Sequence, residues 1–316
     1  MRPMALAPAT STGTQDNPLC MKKIGFWLFL CVAYVNAITP FGLLYLKSDL
    51  YAFLLYHVLR YRRKVVRDNL VRAFPEKSLK EIKKTEKQFY HNLVDLAAEM
   101  CKMLTLKPEQ LSQRVTFTNP EMVEELRQKG KGVFLSLPHS GNWEWLWKLQ
   151  GTVSNHKPYA IYKKMENPFF DQFVFNLRTS HVEDKTTLVE TRSVRSVLER
   201  WRGTPSSVLL LGDQSPRGVA TDYWTEFLHR DTCWYTGLEV LARDLDYAVV
   251  YVEMDRVKRG HYEVTFKMIC ETPENHPQGA ILEQYVRHLE RFIDRHPDNW
   301  LWSHRRWKHS RQPQNA

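Results

Sequence analysis

Residues 133–144 read VFLSLPHSGNWE, and this stretch decides the fold. Val133–Leu137 is a short apolar run of the length expected for a strand buried on both faces. Pro138 ends it, Gly141 and Asn142 supply turn chemistry, and an aromatic-rich helix opens at Trp143. His139 stands in the turn and Glu144 follows five residues later. An imidazole with a carboxylate to orient it is the minimum equipment for taking a proton from an alcohol. Spacing alone carries little weight, because twelve His and 35 acidic residues in 316 make roughly one His-x4-acid match the chance expectation. The strand-turn-helix context is what singles this match out.

Five residues are about 500° of ideal helix, so His139 and Glu144 share no face if both are helical. With His139 in the turn, Glu144 in the first helical turn is expected to reach back to one ring nitrogen, leaving the other to accept a proton. The N–H groups at the start of that helix are candidates for an oxyanion hole. Ser140 raises the possibility of a covalent serine mechanism. It is the weaker reading, since adjacent side chains in a turn point apart and no G-x-S-x-G elbow surrounds it.

Working outward, the segments after residue 130 alternate. Residues 207–211 and 248–252 are short β-runs, and 262–268 alternates in period two, while 189–201 and 235–243 look helical. That alternation predicts an α/β fold with a mixed, mainly parallel sheet flanked by helices. Upstream, Ser78 and Glu81 form a capping box opening a helix with Ile82, Phe89, Leu93, Leu96, Met100 and Leu104 on one stripe. Asn119 and Pro120 are expected to cap and start another helix, ending near Gly130.

Residues 24–46 (IGFWLFLCVAYVNAITPFGLLYL) carry no charge, and about 20 apolar residues suffice to cross a ~30 Å hydrocarbon core. Pro40 is expected to bend this segment or divide a re-entrant hairpin. Lys22 and Lys23 precede it, and Arg60, Arg62, Arg63, Lys64 and Arg67 follow. At ~1 kcal/mol each near an anionic surface, the later cluster adds ~5 kcal/mol of attraction. The expectation is an N-terminal membrane-anchor helix with the remaining chain on the cytoplasmic side. A buried core helix is the competing reading. The organisation expected is a disordered leader over 1–20, an anchor over 21–60, a basic helical segment over 61–115 and an α/β domain over 116–312.

A formal charge of +10 favours nucleic acid, anionic lipid or acidic protein partners. The anchor turns that choice away from nucleic acid. Five scattered cysteines without a C-x-x-C pair indicate neither a zinc site nor a disulfide framework. Asp213 and Gln214 end a β-run, where site residues of open α/β sheets gather. Arg305, Arg306 and Lys308 cluster between Trp302 and Trp307, a combination that also suits single-stranded nucleic acid.

"GKGVFLSLPHSGNWEW" resembles the first signature of the bacterial lipid A biosynthesis acyltransferases, the late enzymes of lauroyl- and myristoyl-transferase type. Supporting blocks are 62–78 (RRKVVRDNLVRAFPEKS), 162–178 (YKKMENPFFDQFVFNLR), 210–218 (LLGDQSPRG) with 225–243 (TEFLHRDTCWYTGLEVLAR), and 298–308 (DNWLWSHRRWK). The resemblance covers about residues 22 to 309 in the family's order. It departs at Tyr162-Lys163-Lys164, where Tyr-Arg-Pro is usual, and at Ser140, where Phe is common.

The resemblance implies a membrane-anchored O-acyltransferase with a glycerolipid-acyltransferase-like fold. A fatty acyl thioester on acyl carrier protein would donate to a hydroxyl of a lipid A precursor, with no metal or bound cofactor. It implies His139 as general base and Glu144 as its orienting partner. Arg178 is implied as a phosphate or thioester ligand, with Asn142, Asp213, Gln214, Arg305 and Arg306 as substrate-binding residues. The expected partners are acyl carrier protein, anionic membrane lipid and a phosphorylated glycolipid, the chain acting as a monomer on the cytoplasmic face of the bacterial inner membrane. A glycerolipid or aminolipid acyltransferase and a non-catalytic membrane adaptor are the alternatives.

Overall fold

Proline lacks the N–H a continuing helix needs, and the N-terminal apolar run divides at Pro40. The computed structural model describes residues 17–180, 184–202, 204–216 and 223–311. In it the run becomes α1 (Asn17–Ile38) and α2 (Phe41–Phe53), with Pro40 as the N-cap of the second. The 13 residues of α2 span only about 20 Å, and the sequence of α1 includes Lys22 and Lys23. No helix among the described residues is long and apolar enough to cross a membrane. Residues 21–60, expected as an anchor, thus form the greater part of α1, then α2 and a π-helical turn, Leu54–Val58. Of the leader expected over 1–20, residues 1–16 lie outside the described residues, and α1 has already begun at Asn17.

Next come α3 (Arg63–Ala73) and α4 (Leu79–Lys102). The capping box is formed as expected: the Ser78 hydroxyl accepts from Glu81 N–H and the Glu81 carboxylate from Ser78 N–H. Both N-terminal helices pack on α4. Residues spaced four apart face inward: Ala33 and Ala37 on α1, Leu44, Ser48 and Ala52 on α2. Larger side chains face out, among them Trp27, Leu28, Ile38, Leu46 and Leu50. Lys102 donates to the carbonyls of Ala37 and Thr39, both at 2.6 Å, and so satisfies the acceptors freed where α1 stops.

The remaining elements are α5 (Pro108–Ser112), β1 (Val115–Phe117), α6 (Glu121–Gln128), β2 (Val133–Leu137), α7 (Trp143–Leu149), β3 (Lys157–Tyr162), α8 (Pro168–Thr179), β4 (Leu188–Glu190), α9 (Val194–Arg202), β5 (Ser206–Leu211), β6 (Tyr223–Phe227), β7 (Arg230–Trp234), α10 (Gly237–Leu245), β8 (Ala248–Lys258), β9 (His261–Cys270) and α11 (Ala280–Arg295). Seven strands form one sheet in the order β1-β9-β8-β2-β5-β3-β4, and β6 with β7 forms a separate hairpin. Every pairing in the large sheet is parallel except β8 with β9. This is the mixed, mainly parallel α/β sheet expected.

Alternation along the strands feeds two cores. Phe134, Val208, Val249 and Tyr251 face one core, and Val133, Leu135, Leu209 and Val250 face the other. Two local expectations differ from the structure. Residues 189–201 are not wholly helical: Leu188 and Val189 pair with Ala160 and Ile161, so an edge strand precedes α9. Asn119 does not cap α6, whose N-cap is Pro120; its amide instead bonds the Phe266 backbone through both N–H and C=O.

Candidate active site

β2 and β5 are neighbours, parallel and in register, with Leu137 opposite Leu211. Two residues beyond each of these stand His139 and Asp213. The register therefore delivers them to the same place, at the C-terminal edge where parallel sheets mount their chemistry. His139 Nδ1 lies 2.6 Å from Asp213 Oδ1, and the His139 backbone N–H donates to Oδ2 at 2.9 Å. The Trp300 indole N–H donates to the same Oδ2 at 2.7 Å. Asp213 is buried, which alone would raise its pKa. The charge of His139 and the hydrogen bonds from His139 and Trp300 outweigh burial and hold the carboxyl below its ordinary range. An ionised Asp213 makes Nδ1 the donor and leaves Nε2 with its lone pair. Nε2 faces the Gln214 amide nitrogen at 3.1 Å.

Glu144 is elsewhere. It is the second residue of α7, about 100° around the helix from Trp143. It is Trp143 that meets the imidazole, edge to face with ring centres 5.1 Å apart. The Glu144 carboxylate is buried and held by both sides of the Arg178 fork, with Nε to Oε2 at 2.9 Å and Nη2 to Oε1. Burial opposes the charge on Arg178, but Glu144 overcomes it and raises the guanidinium pKa. The expected orienting role of Glu144 is thus corrected: Asp213 fills that position, and Glu144 joins α7 to α8.

The turn between β2 and α7 is shaped by Gly141, whose φ is +58°. A Cβ there would lie 2.9 Å from both the Met254 carbonyl oxygen and its Cγ, so the position requires glycine. Gly141 N–H donates to Asn299 Oδ1 at 3.1 Å, and Ser140 bridges to Trp300. The backbone N–H groups of His139, Ser140, Gly141 and Trp145 are all bonded within the protein. The amides at this helix start for which no such bond is formed among the described residues are those of Asn142, Trp143 and Glu144. No hydrogen bond joins Ser140 to His139.

Asn142 is buried: its Oδ1 caps α7 through Trp145 N–H and its Nδ2 donates to Glu99 at 2.9 Å. Both ends of the Asn142 amide, expected to bind substrate, are engaged within the protein, where they shape the turn. Glu99 also accepts from the hydroxyls of Tyr45 and Tyr262. Arg306 is also buried. It lies over Trp234 at 4.2 Å and donates to the Cys233 carbonyl at 2.7 Å. Burial lowers its pKa to about 10. Arg305 is exposed, and its carbonyl accepts from the Ser215 hydroxyl at 3.1 Å.

Asn299, Trp300 and His304 come to the site from the C-terminal segment, which wraps the ends of β2 and β5. His304 Nε2 accepts from Ser215 N–H at 3.1 Å, and burial pushes its pKa down to about 4. The run DNWLW marked that segment only by resemblance; nothing in its local pattern announces a contact with Asp213 across such a sequence distance.

A cavity of about 30 Å³ opens beside His139, Trp143 and Trp300. Asn92, Arg256, Asp298 and Asn299 line both it and a polar cavity of about 370 Å³. A third, mostly apolar cavity of about 700 Å³ lies between α1 and α8, against Phe26, Tyr34, Phe169, Phe173 and Leu177. Among the described residues no group of three His, Cys, Asp or Glu side chains could hold a metal ion.

A buried carboxylate behind an imidazole, at the carboxyl end of a mainly parallel sheet and beside a cavity, defines an α/β protein with a pair chemically able to take up a proton. The particular family is given by comparison. The chain matches the model of the bacterial lipid A biosynthesis acyltransferases over residues 12–309 and belongs to that family. No curated protein matches it.

Proposed function

We propose that the chain is a late acyltransferase, moving a fatty acyl group from a thioester on acyl carrier protein to a hydroxyl of a lipid A precursor. The observation that carries this reading is the 2.6 Å contact of His139 Nδ1 with the buried Asp213. That contact leaves Nε2 as the proton acceptor. The acceptor hydroxyl displaces Gln214 from Nε2 and gives up its proton as its oxygen attacks the thioester carbonyl. The amides at the start of α7 hold the resulting oxyanion. The tetrahedral intermediate then collapses, the C–S bond breaks, and the imidazolium returns its proton to the leaving thiolate. General base catalysis of this kind contributes about 10²–10⁴-fold. The apolar cavity between α1 and α8 suits the fatty chain.

The outward apolar face of α1 and α2 supports a location at a membrane surface. Trp27, Leu28, Ile38, Leu46 and Leu50 are exposed, more apolar surface than a protein in water usually shows. Basic residues follow at Arg60, Arg62 and Arg63. The helices lie in the plane of an anionic bilayer, on the cytoplasmic side of the inner membrane, and do not span it. The +10 charge also suits acidic acyl carrier protein.

The test supplies the purified chain with labelled acyl-acyl carrier protein and, separately, a lipid A precursor, glycerol-3-phosphate or an aminolipid. Ester formation on the lipid A precursor, lost in His139→Ala, is expected. Product with only one of the other acceptors would overturn the assignment, and an unaltered His139→Ala variant would leave the chain an adaptor.

A further inference from the structure

One side chain touches the base and has no part in orienting it. Gln214 follows Asp213 just beyond β5, and its amide nitrogen lies 3.1 Å from His139 Nε2. We propose that Gln214 is a specificity-determining residue, a cap on the base that favours transfer to an alcohol over hydrolysis of the thioester by water. The proposal rests on the acyltransferase reading and adds to it a selection between two attacking oxygens.

The cap follows from the tautomer. With the ring proton on Nδ1, 2.6 Å from Asp213 Oδ1, Nε2 carries a single lone pair in the ring plane. The Gln214 amide must turn its nitrogen to that lone pair, because its carbonyl oxygen would set two acceptors against each other. One lone pair serves one donor, so a water molecule is activated only after the amide has left. The His139 side chain is 16% exposed, and Trp143 packs against the same ring. Little of the imidazole remains open to solvent apart from the position that Gln214 fills.

The backbone around Gln214 is pinned, while its side chain is held by one bond. Asp213 on one side accepts from the His139 and Trp300 N–H groups. Ser215 on the other donates its N–H to His304 and its hydroxyl to the Arg305 and Arg306 carbonyls. Among the described residues the contact with His139 is the only hydrogen bond of the half-buried Gln214 side chain. The cap can turn away without disturbing Asp213. An acceptor lipid is held by the rest of its contacts, so its hydroxyl meets Nε2 at a high effective concentration and displaces the amide. Water has no such contacts and must displace it unaided. Once uncapped, Nε2 takes a proton from water as the water oxygen attacks the thioester carbonyl. The C–S bond then breaks, the imidazolium protonates the thiolate, and a free fatty acid leaves.

The experiment supplies the full chain with labelled acyl-acyl carrier protein, with and without the lipid A precursor, and measures free fatty acid against ester. Gln214→Ala and Gln214→Met are compared with the unaltered chain, methionine keeping the length of the side chain without its donor. Both variants are expected to release fatty acid about fivefold faster when no acceptor is present, the worth of one neutral hydrogen bond, and to raise the ratio of acid to ester. Diethyl pyrocarbonate, which acylates unprotonated imidazole, gives a reading that needs no thioester. At fixed pH, carbethoxylation of His139 relative to the exposed His229, located by mass spectrometry, should be about fivefold faster in both variants. Fatty acid release that is unchanged or slower in both variants while ester still forms would overturn the proposal. Should the chain form no ester at all, faster carbethoxylation would support the cap and place the failure in the acyltransferase reading, whereas unchanged carbethoxylation would overturn the cap itself.

Discussion

Replacing Asp213 by asparagine tests the site through one proton. Oδ2 of Asp213 accepts two hydrogen bonds, from the His139 backbone at 2.9 Å and the Trp300 indole at 2.7 Å. An asparagine must keep its carbonyl oxygen there, since an NH₂ would face two donors. Its NH₂ is thereby placed at the Oδ1 position, 2.6 Å from His139 Nδ1. Nδ1 must then accept, the ring proton moves to Nε2, and the nitrogen facing the cavity can no longer take a proton. The same exchange in a Ser-His-Asp triad lowers kcat by about 10⁴. A loss of about 10³–10⁴-fold is expected here, about 4–5.5 kcal/mol of transition-state stabilisation. The substitution is nearly isosteric, so the assay pairs kcat at saturating thioester and acceptor with thermal unfolding, and Glu144→Gln serves as the comparison. If Asp213→Asn keeps activity within about tenfold while a stably folded Glu144→Gln loses it, the tautomer argument is wrong and Glu144, the carboxylate nearer in sequence, orients the base.

Other perturbations follow from particular contacts. Glu144→Gln breaks the buried two-point pair with Arg178 and should cost about 3 kcal/mol, the low end for such pairs because Arg178 is partly exposed; the urea midpoint reports it. Gly141→Ala combines a φ of +58° with a clash against the Met254 carbonyl. A loss of about 1–3 kcal/mol, with reduced kcat from a displaced His139, should appear in denaturation and turnover together. Burial raises the pKa of Glu99 above 4.5, with its hydrogen bonds from Tyr262 and Asn142 opposing. The native state holds that proton more tightly than the unfolded chain, so the stability it contributes is present below pH 4.5 and is lost as pH rises through the raised value. Glu99→Gln cannot ionise and should flatten that decline in a series of melts against pH. Trp27→Ser with Leu28→Ser removes apolar area worth about 1.5–3 kcal/mol per side chain if buried in lipid, so flotation with anionic vesicles should fall by at least about tenfold; unchanged flotation would refute a lipid-facing α1.

The sheet was legible where hydrophobicity alone decides. Val133–Leu137 is apolar apart from Ser136 and is the central strand. Residues 189–201 misled because β4 is an edge strand of three residues, too short for its own periodicity to outweigh the helical pattern that follows. The site was half legible for a different reason. Spacing finds partners that are close in sequence, and it offered Glu144 to His139. The partner observed is 74 residues away, brought in by the register of β2 against β5. Asp213 had been marked by its place at a strand end and expected to bind substrate, with no link to His139. Arg306 looked like a lipid ligand because a charge in a basic, aromatic segment is usually solvated. Packing on Trp234 reversed that, and no local pattern records such a burial. In the N-terminal run Pro40 marked the break in advance, because a proline interrupts helix hydrogen bonding wherever it stands; hydropathy, which averages over it, left open whether the run bends or turns back.

That break bears on how the base is held. A single helix carried straight through a bilayer would take residues 41–53 away from the sheet. Division at Pro40, sealed by Lys102 on the two freed carbonyls, instead turns α2 back against α4. Tyr45 then reaches Glu99, and Glu99 holds Asn142 in the His139 turn. On the same helix Asp49 pairs with Arg259 at the polar cavity, while Leu46 and Leu50 remain exposed. One short helix therefore touches the apolar exterior, the polar cavity and, through a single carboxyl group, the turn that carries the base. A spanning anchor could only tether the domain to a membrane. A folded-back helix also braces the His139 turn through Tyr45, Glu99 and Asn142, so the proline and the lysine that caps its break bear on the geometry of that turn.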